Sequence, residues 1–277
     1  APMGIRKLRL TGGEPLLRRD LPRLISLLRT IEGIDDIALT TNALLLAEQA
    51  EALQKSGLDR VNVSLDSLLR ERFEQITRRD ALDRVLRGIE QAAKTFQGPL
   101  KINAVLIRGL NDAETPAFAE LARKHGHTIR FIEYMPLDAD ESWSRSSLVT
   151  GAEIRERIDQ HLENRARLVE DPARDQRAPA ADYIFSDGAP GKIGFINSVS
   201  EPFCENCNRI RITADGKLRT CLFSQEETDI ASLLRGGASD EKIGAAVRAA
   251  VHDKEPGHRI NEPDFVRASR SMSQIGG

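Results

Sequence analysis

Short β-like runs alternate with amphipathic helical patterns through the first half of the chain, and this alternation restricts the fold more than any other feature. Strands that alternate with helices predict an α/β fold with a parallel sheet, either open or closed into a barrel. Ligand sites of such sheets lie at the carboxyl ends of the strands. The predicted strands are 5–11, 36–41, 60–65, 100–106 and 128–134, and the predicted helices are 20–31, 45–56, 80–96 and 112–125.

The alternation of strands and helices stops after Pro136. This change predicts that the rest of the chain has a different architecture. Asp215-Gly216 is typical of a hairpin turn between two short strands. We therefore expect two domains, a barrel-like part over 1–150 and a C-terminal cap over 151–277. The cap elements follow in order: a loop over 137–149, a helix over 151–162, a polar linker over 171–181, strands near 182–186 and 192–199, and helices near 228–235 and 239–253.

Charge and composition exclude several classes of protein. A net charge of −2 over 277 residues argues against a general nucleic-acid or membrane-surface binder, so any phosphate recognition must come from locally placed Arg and Lys. No run approaches the roughly 18 apolar residues of a membrane span, and no signal-peptide pattern is present. An odd number of cysteines does not fit a secreted disulfide framework. These features predict a cytoplasmic protein.

The only three cysteines, Cys204, Cys207 and Cys221, lie together with the spacing C-x2-C-x13-C. Three thiolates without an obvious fourth ligand indicate an iron–sulfur cluster or metal ion with one open position, where a substrate can bind. A structural zinc site is the alternative, with His252 or His258 as a fourth ligand outside the usual zinc spacing.

Cations follow the cysteines and recur on the predicted strands. Arg209 and Arg211 alternate with Ile210, so on a strand they share one face and can bind a phosphate between them. Cations that face a barrel interior are costly unless they meet anions, which a polyphosphate would supply. Solvated surface charges are the alternative for all of them. The strand cations are Lys7, Arg9, Lys101 and Arg130.

Glycine-rich and polar segments follow the strand ends. Gly12 and Gly13 carry no side chain, so their backbone can approach a ligand closely, and Glu14 adds a carboxylate beside them. A plain Gly-Gly turn is the alternative. The terminal Gly276-Gly277 can thread into a cleft, or it can be a frayed end.

Together these segments resemble the molybdenum cofactor biosynthesis protein A family, the radical SAM GTP 3′,8-cyclases. The resemblance covers nearly the whole chain, and the cysteine segment and terminal glycines distinguish this family from other radical SAM enzymes. The matching segments are TGGEPLLR at 11–18, LTTNALLL at 39–46, VNVSLDSL at 61–68, KINAVLIRGLND at 101–112, RFIEYMPL at 130–137 and FCENCNRIRITADGKLRTCLF at 203–223.

The resemblance implies a partial (β/α)6 TIM-type radical SAM barrel and an α+β cap that carries an auxiliary [4Fe–4S] cluster on Cys204, Cys207 and Cys221. It implies that Gly276 and Gly277 form an active-site tail. The GTP-binding residues that it implies are Lys7, Arg9, Thr40, Lys101, Arg130, Arg209 and Arg211. The residues that it implies for S-adenosylmethionine (SAM) are Gly12, Gly13, Glu14, Asn42, Ser64 and Met135.

The resemblance also implies the chemistry. A 5′-deoxyadenosyl radical from SAM removes the ribose 3′ hydrogen of GTP, and the C3′ radical attacks C8 of guanine to give (8S)-3′,8-cyclo-7,8-dihydroguanosine 5′-triphosphate. No protein side chain is assigned as catalytic. The implied partners are a reductant such as flavodoxin or ferredoxin, a second copy in a homodimer, and the cyclic pyranopterin monophosphate synthase that receives the product.

This sequence departs from the family pattern in two places. The family binds its SAM-cleaving cluster on a CxxxCxxC loop, and no such motif is present here. We therefore expect an N-terminally truncated, inactive fragment that lacks the first barrel strand and that loop. Ala43 also stands where the family usually has glycine, and a left-handed backbone there would cost roughly 1 kcal/mol or more. The alternatives are a non-catalytic GTP- and metal-binding protein, or another radical SAM enzyme with an auxiliary cluster.

Overall fold

The computed structural model describes residues 3–137 and 142–275, and an eight-stranded, mainly parallel sheet forms its centre. The strand order is β1-β2-β3-β4-β5-β8-β7-β6. Strands β1 to β5 and β8 pair in parallel, while β7 pairs antiparallel with β8 and β6. The predicted α/β class is confirmed. The strands are β1 Lys7–Leu10, β2 Asp36–Thr41, β3 Arg60–Ser64, β4 Lys101–Leu106, β5 Thr128–Glu133, β6 Leu168–Glu170, β7 Ala181–Phe185 and β8 Lys192–Ile196.

Helices connect the strands and cover one face of the sheet. Five of the six match predicted helices; the exception, α3, is short and buries only Phe73, so its apolar pattern is weak. The last begins with a capping box, in which Thr150 and Glu153 bind each other's backbone N–H groups. The helices are α1 Leu21–Arg29, α2 Leu46–Lys55, α3 Arg70–Thr77, α4 Leu82–Thr95, α5 Thr115–His125 and α6 Gly151–Leu162.

The two faces of the sheet differ in chemistry. Val61, Val63 and Ile102 alternate along β3 and β4 and belong to the main hydrophobic core beneath the helices. Because side chains alternate along a strand, Arg60, Asn62 and Ser64 of β3 lie on the other face. We call this opposite face the polar face. It carries most of the cations and amides predicted to bind ligands.

The sheet continues beyond residue 150, where the first predicted domain ends. The segment 171–181, predicted as a linker, is instead mainly the loop of a hairpin, because β6 and β7 pair antiparallel across it. Asp171 and Ala180 in this segment are buried, at 7% and 0% exposed. The division of the chain at residue 150 remains a prediction.

From here on, the term cap refers to the described residues after β8. Its predicted hairpin is present, because β9 and β10 pair antiparallel around Gly216, whose φ of 83° lies in the left-handed region. Arg219 of β10 is completely buried; it donates to Glu227 at 2.5 Å and to the carbonyls of Leu222 and Ser224. The elements are β9 Arg211–Ile212, β10 Lys217–Arg219, β11 Thr228–Asp229, α7 Ile230–Arg235, α8 Asp240–His252 and α9 Met272–Ile275.

One buried carboxylate fastens the cap to the sheet. Glu133, at the end of β5, is 1% exposed. It accepts hydrogen bonds from the backbone N–H groups of Val199 at 2.7 Å and Ser200 at 2.8 Å, and from the Ser200 hydroxyl at 2.5 Å. The segment that leads to the cysteines is thereby fixed at the carboxyl end of the parallel sheet. Among the described residues, no helix has both the length and the apolar surface to cross a membrane.

Candidate functional site

Arginines from the sheet and from the cap meet at the polar face. The pKa of Arg9 on β1 is lowered to about 10, first by desolvation and then by the charges of Arg60, Arg130, Arg209 and Arg211. Arg9 keeps an exposed surface, so its desolvation is partial. A bound anion would relieve the repulsion between Arg9 and the neighbouring arginines. Arg9 and Arg130 of the sheet and Arg209 and Arg211 of the cap therefore lie near one another.

Lys101 and Arg130 extend this group of cations on the central strands. The pKa of Lys101 is lowered to about 8, by desolvation first and then by the charges of Arg130 and Arg60, while Asp182 opposes the shift. Arg130 meets Asp182 at 3.5 Å, a long contact, and its Nε atom is buried without a partner among the described residues. Charge on this face is therefore only partly compensated by the protein.

Two further cations of this region differ from Arg9: Arg60 is paired with a carboxylate, and Lys7 lies at the start of its strand. Arg60 forms a close bidentate pair with Asp36, and this hydrogen-bonded carboxylate, partly offset by burial, raises the pKa of Arg60. Lys7 lies exposed at the start of β1, opposite Asp36 in the strand register. Arg60 is therefore held by Asp36, whereas Arg9 has no ion-pair partner among the described residues.

The residues predicted for SAM follow the carboxyl ends of four parallel strands. Gly12 and Gly13 follow β1, and a side chain added to either glycine would meet no atom within 4 Å, so the backbone is open on that side. Asn42 follows β2, Ser64 ends β3, and both are exposed. Met135 follows β5 and is partly buried. Parallel strands bring these positions to one edge of the sheet.

Glu14 joins two of these loops. Its carboxylate accepts hydrogen bonds from the Thr41 hydroxyl at 2.7 Å and from the backbone N–H of Asn42 at 2.8 Å. It also accepts from the backbone N–H of Leu16 at 3.0 Å. Most of its hydrogen-bonding capacity is therefore used within the protein, which gives Glu14 a role in shaping the loops as well as its predicted role in binding.

Ala43, which stands where the family usually has glycine, has a left-handed backbone with φ of 61°. The residue is completely buried, and its N–H donates to the Thr41 hydroxyl at 3.0 Å. The Asn42 side chain accepts from the backbone N–H of Leu44 at 3.0 Å, which closes a tight turn. Two side-chain bonds thus hold a backbone shape that alanine disfavours.

The three cysteines lie in the cap, partly buried and close enough to influence one another. The pKa of the Cys204 thiol is raised, mainly by desolvation, and the neighbouring Cys221 and Cys207 thiols add to the effect. Arg209 lies before strand β9 rather than on it; it donates to the Cys207 sulfur at 3.5 Å and stacks 4.9 Å over the Phe203 ring. Arg211 is close to both Cys207 and Cys221.

The cap offers three thiolates, the donors that clusters and soft metal ions share. Within residues 3–137 and 142–275, no three His, Cys, Asp or Glu side chains converge on one point as a single metal ion requires. The three thiolates of a cluster bind different irons, so they need not converge in this way. His258 is not free to complete a zinc site, because its Nε2 donates to the Ser198 carbonyl at 2.9 Å and its Nδ1 accepts from the Ile260 N–H at 3.2 Å.

The end of the chain packs against the cap. Ile275 is 1% exposed and joins a small hydrophobic cluster, against which Met135 and Cys221 also pack. Arg270 forms ion pairs with Asp215 at 2.8 Å and with Glu227 at 2.7 Å. The predicted active-site tail, Gly276 and Gly277, and residues 138–141 of the predicted loop lie outside the described residues.

Three residues near this site were not singled out from the sequence. Asn62 and Asp182 each have a buried side-chain oxygen without a partner among the described residues. Lys254 donates to the backbone carbonyls of Cys207 at 2.7 Å and Arg209 at 3.4 Å. The alternation along β3 could have identified Asn62, because it lies two residues before Ser64. The position of Lys254 depends on tertiary packing and left no signal.

Comparisons with known proteins show the family of this chain. The chain matches the Radical SAM superfamily over residues 1–122 and Molybdenum Cofactor Synthesis C over residues 127–260. The fold and these matches define a radical SAM enzyme. A GTP 3′,8-cyclase of Paenarthrobacter nicotinovorans is 45% identical over 99% of this chain and 81% of its own length. That of Mycolicibacterium smegmatis is 47% identical over 100% of this chain and 76% of its own length. The chain belongs to the GTP 3′,8-cyclase family.

Proposed function

We propose that this protein binds GTP between the polar face of the sheet and the cap, and acts in its conversion to (8S)-3′,8-cyclo-7,8-dihydroguanosine 5′-triphosphate, the first step of molybdenum cofactor biosynthesis. One observation supports this most strongly: Arg9 of the sheet lies among Arg130 of β5 and Arg209 and Arg211 of the cap. Several weakly compensated guanidiniums favour a ligand with several negative charges. A triphosphate has that charge, and it joins the two parts of the chain.

The radical SAM family implies a [4Fe–4S] cluster and SAM as cofactors. When bound, they would supply the electron and the 5′-deoxyadenosyl radical that removes the ribose 3′ hydrogen. Cys204, Cys207 and Cys221 would hold the auxiliary cluster, which would supply a binding position for guanine. We assign SAM to the carboxyl edge, with Gly12, Gly13, Asn42, Ser64 and Met135 as contacts and Glu14 shaping the loops around it.

The role of the protein's own residues is to bind and orient. Arg9, Lys101 and Arg130 neutralise the triphosphate on the sheet, with Lys7 at its edge. Thr40 lies beside them on β2, and Arg209 and Arg211 hold the nucleotide from the cap. A nucleotide held from both sides presents one face of its ribose to the SAM site, which reduces the entropic cost of reaching the reactive geometry. Gly276 and Gly277 are proposed to enter the site as its tail.

The position of the cysteines limits what these 277 residues can do by themselves. All three cysteines lie in the cap segment, so none is left for a SAM-cleaving cluster. We propose that these 277 residues belong to a partial (β/α)6 barrel enzyme and bind GTP, and that by themselves they do not form the radical. Its proposed setting is a cytoplasmic homodimer, reduced by flavodoxin or ferredoxin, that passes its product to the cyclic pyranopterin monophosphate synthase.

Anaerobic iron–sulfur reconstitution followed by EPR tests the proposal. We expect about one [4Fe–4S] cluster per chain, bound by the three cysteines, and an EPR spectrum that changes when GTP is added. Arg209→Ala and Arg211→Ala should weaken GTP binding, whereas Arg87→Ala, which removes an exposed charge from α4 on the helix-covered face of the sheet, should not. Stoichiometric zinc without iron would refute the cluster, and unchanged GTP affinity in both site variants would refute the nucleotide site.

A further inference from the structure

The Asn62 side chain is almost completely buried, yet one of its polar atoms has no partner. Asn62 lies on β3 and is 2% exposed. Its Nδ2 donates to the Thr40 hydroxyl at 3.4 Å, at the outer limit for a hydrogen bond, and its Oδ1 has no partner among the described residues. Buried carboxamides are normally hydrogen-bonded, so an exception of this kind requires a reason.

Asn111, the other buried asparagine, is a useful comparison, because its side-chain amide is fully hydrogen-bonded within the protein. Asn111 is 1% exposed. Its Nδ2 donates to the carbonyls of Asp66 at 2.7 Å and Val105 at 2.8 Å, and its Oδ1 accepts from the Ile107 N–H at 2.8 Å. Asn62 has no such set of hydrogen bonds among the described residues. This difference indicates that its side-chain amide is available to a ligand.

The strand register places Asn62 between two residues of the proposed GTP site. Thr40 of β2 is its partner on one side, and Lys101 of β4 is its partner on the other. These three residues form one row across the polar face. A ligand that contacts both Thr40 and Lys101 passes over the Asn62 position. Arg60 and Ser64, two residues before and after it, share that face because side chains alternate along the strand.

We propose that Asn62 is a further substrate-binding residue of this site and that its carboxamide binds a ribose hydroxyl of GTP. This inference rests on the proposed function and specifies which part of the nucleotide the middle of the row recognises. The neighbouring cations provide for the phosphates, since Arg9, Lys101 and Arg130 carry weakly compensated positive charge. A neutral amide beside them suits a neutral group.

A ribose hydroxyl also fits the chemistry of an amide in either orientation. The oxygen and nitrogen of an asparagine can be exchanged by rotating the amide through about 180°. A phosphate oxygen can only accept and would bind only the NH2 end. A hydroxyl donates and accepts, so it satisfies whichever end the Thr40 hydroxyl leaves unpaired.

The test measures equilibrium binding of GTP, 2′-deoxy-GTP and 3′-deoxy-GTP to the 277-residue chain and to Asn62→Ala and Asn62→Leu. The unaltered protein should bind one of the two deoxy nucleotides roughly tenfold more weakly than GTP, which identifies the hydroxyl. Both variants should bind GTP about as weakly as that analogue and lose the preference. Asn62→Leu should also raise the melting temperature without ligand, because it removes an unpaired buried group.

Asn197→Ala is the matched control. Asn197 also has a buried Oδ1 without a partner among the described residues, but it lies beside Gly151 at the start of α6, away from the row. Its replacement should leave the preference between GTP and the deoxy nucleotides unchanged. A preference that persists in Asn62→Ala, or is absent from the unaltered protein, overturns this inference while GTP binding itself stands. Failure of the unaltered protein to bind GTP overturns the proposed function as well.

Discussion

The carbonyl oxygen of Ala43 occupies the space where a side chain on Gly88 would begin. A Cβ atom added to Gly88 of α4 would lie 2.5 Å from that oxygen and 3.3 Å from the Cβ atom of Leu46. Glycine therefore allows α4 to contact the turn that follows β2. This turn carries Asn42, one of the residues assigned to SAM, so the helix supports that loop from behind.

Gly88→Ala should destabilise the protein by about 1–3 kcal/mol, because backbone atoms must move to admit the methyl group. Gly244→Ala is a matched control, since Gly244 also lies within a helix and its added Cβ would approach only the flexible end of Arg248 at 3.3 Å. Alanine there should stabilise α8 by up to about 1 kcal/mol. Urea unfolding of both variants gives the comparison. Equal effects would show that helix α4 does not need to approach the turn closely.

GTP affinity should fall as the pH rises above about 8, because Lys101 has its pKa lowered to about 8 in the free protein. A bound triphosphate favours the charged amine and raises this pKa, so binding above pH 8 takes up about one proton. Below that pH the amine is already charged and affinity should be flat. Lys101→Arg should remove the pH dependence, because arginine stays charged. Calorimetry in buffers of different ionisation enthalpy measures the proton uptake directly, and its absence would contradict this assignment.

Asp66 should reduce stability at neutral pH. The residue is only partly buried by surface area, but its carboxyl group is enclosed, and desolvation raises its pKa to about 6 although the Val105 N–H donates to it at 2.8 Å. The neutral acid is thus preferred in the folded state. The stability that the protein has with the neutral acid is complete below about pH 4, and it is lost as the pH rises through about 6 and the folded protein has to bury a charge.

Asp66→Asn keeps an acceptor for Val105 and removes the charge, so it should stabilise the protein at pH 8 by roughly 1–3 kcal/mol. At pH 4 the two proteins should differ little. Urea unfolding at both pH values provides the measurement. Equal differences at pH 4 and pH 8 would show that the charge of Asp66 is not responsible.

Arg219 should be essential for the cysteine segment. It is completely buried, pairs with Glu227, and donates to the carbonyls of Leu222 and Ser224, which follow Cys221. Arg219→Met leaves these partly buried acceptors without the Arg219 donor and should cost about 1–3 kcal/mol. Iron incorporation should fall with it, whereas Arg235→Met, at an exposed position on α7, should change neither property. Normal iron content in Arg219→Met would show that the loop is held by other contacts.

Sequence patterns predicted the parallel strands well because their physical signals are local. Val61 and Val63 alternate with polar residues, and such a period identifies a strand and its two faces without knowledge of its neighbours. The hairpin at Gly216 and the helix that begins at Gly151 follow from turn and capping chemistry within a few residues. Cys204, Cys207 and Cys221 were identified by their spacing.

Contacts between distant segments could not be predicted in this way. The polar composition of 171–181 indicated a linker, but only the pairing of β6 with β7 shows that these residues close a hairpin. The alternation along β3 can mark Asn62 as a residue of the polar face, but only the register places it between Thr40 and Lys101. Likewise, Arg9 gives no sign in the sequence that Arg209, 200 positions later, lies near it.

The contact between Glu133 and Ser200 implies an order of events during folding. Strands β1 to β5 are neighbours in both sequence and space, so each can join the sheet as it emerges. Glu133 has to wait for donors 66 and 67 positions later. Until they arrive, its carboxylate must stay hydrated, which keeps that edge of the sheet open to water. Docking of Val199 and Ser200 onto Glu133 therefore removes water from this edge of the sheet and positions the cysteine segment in the same step.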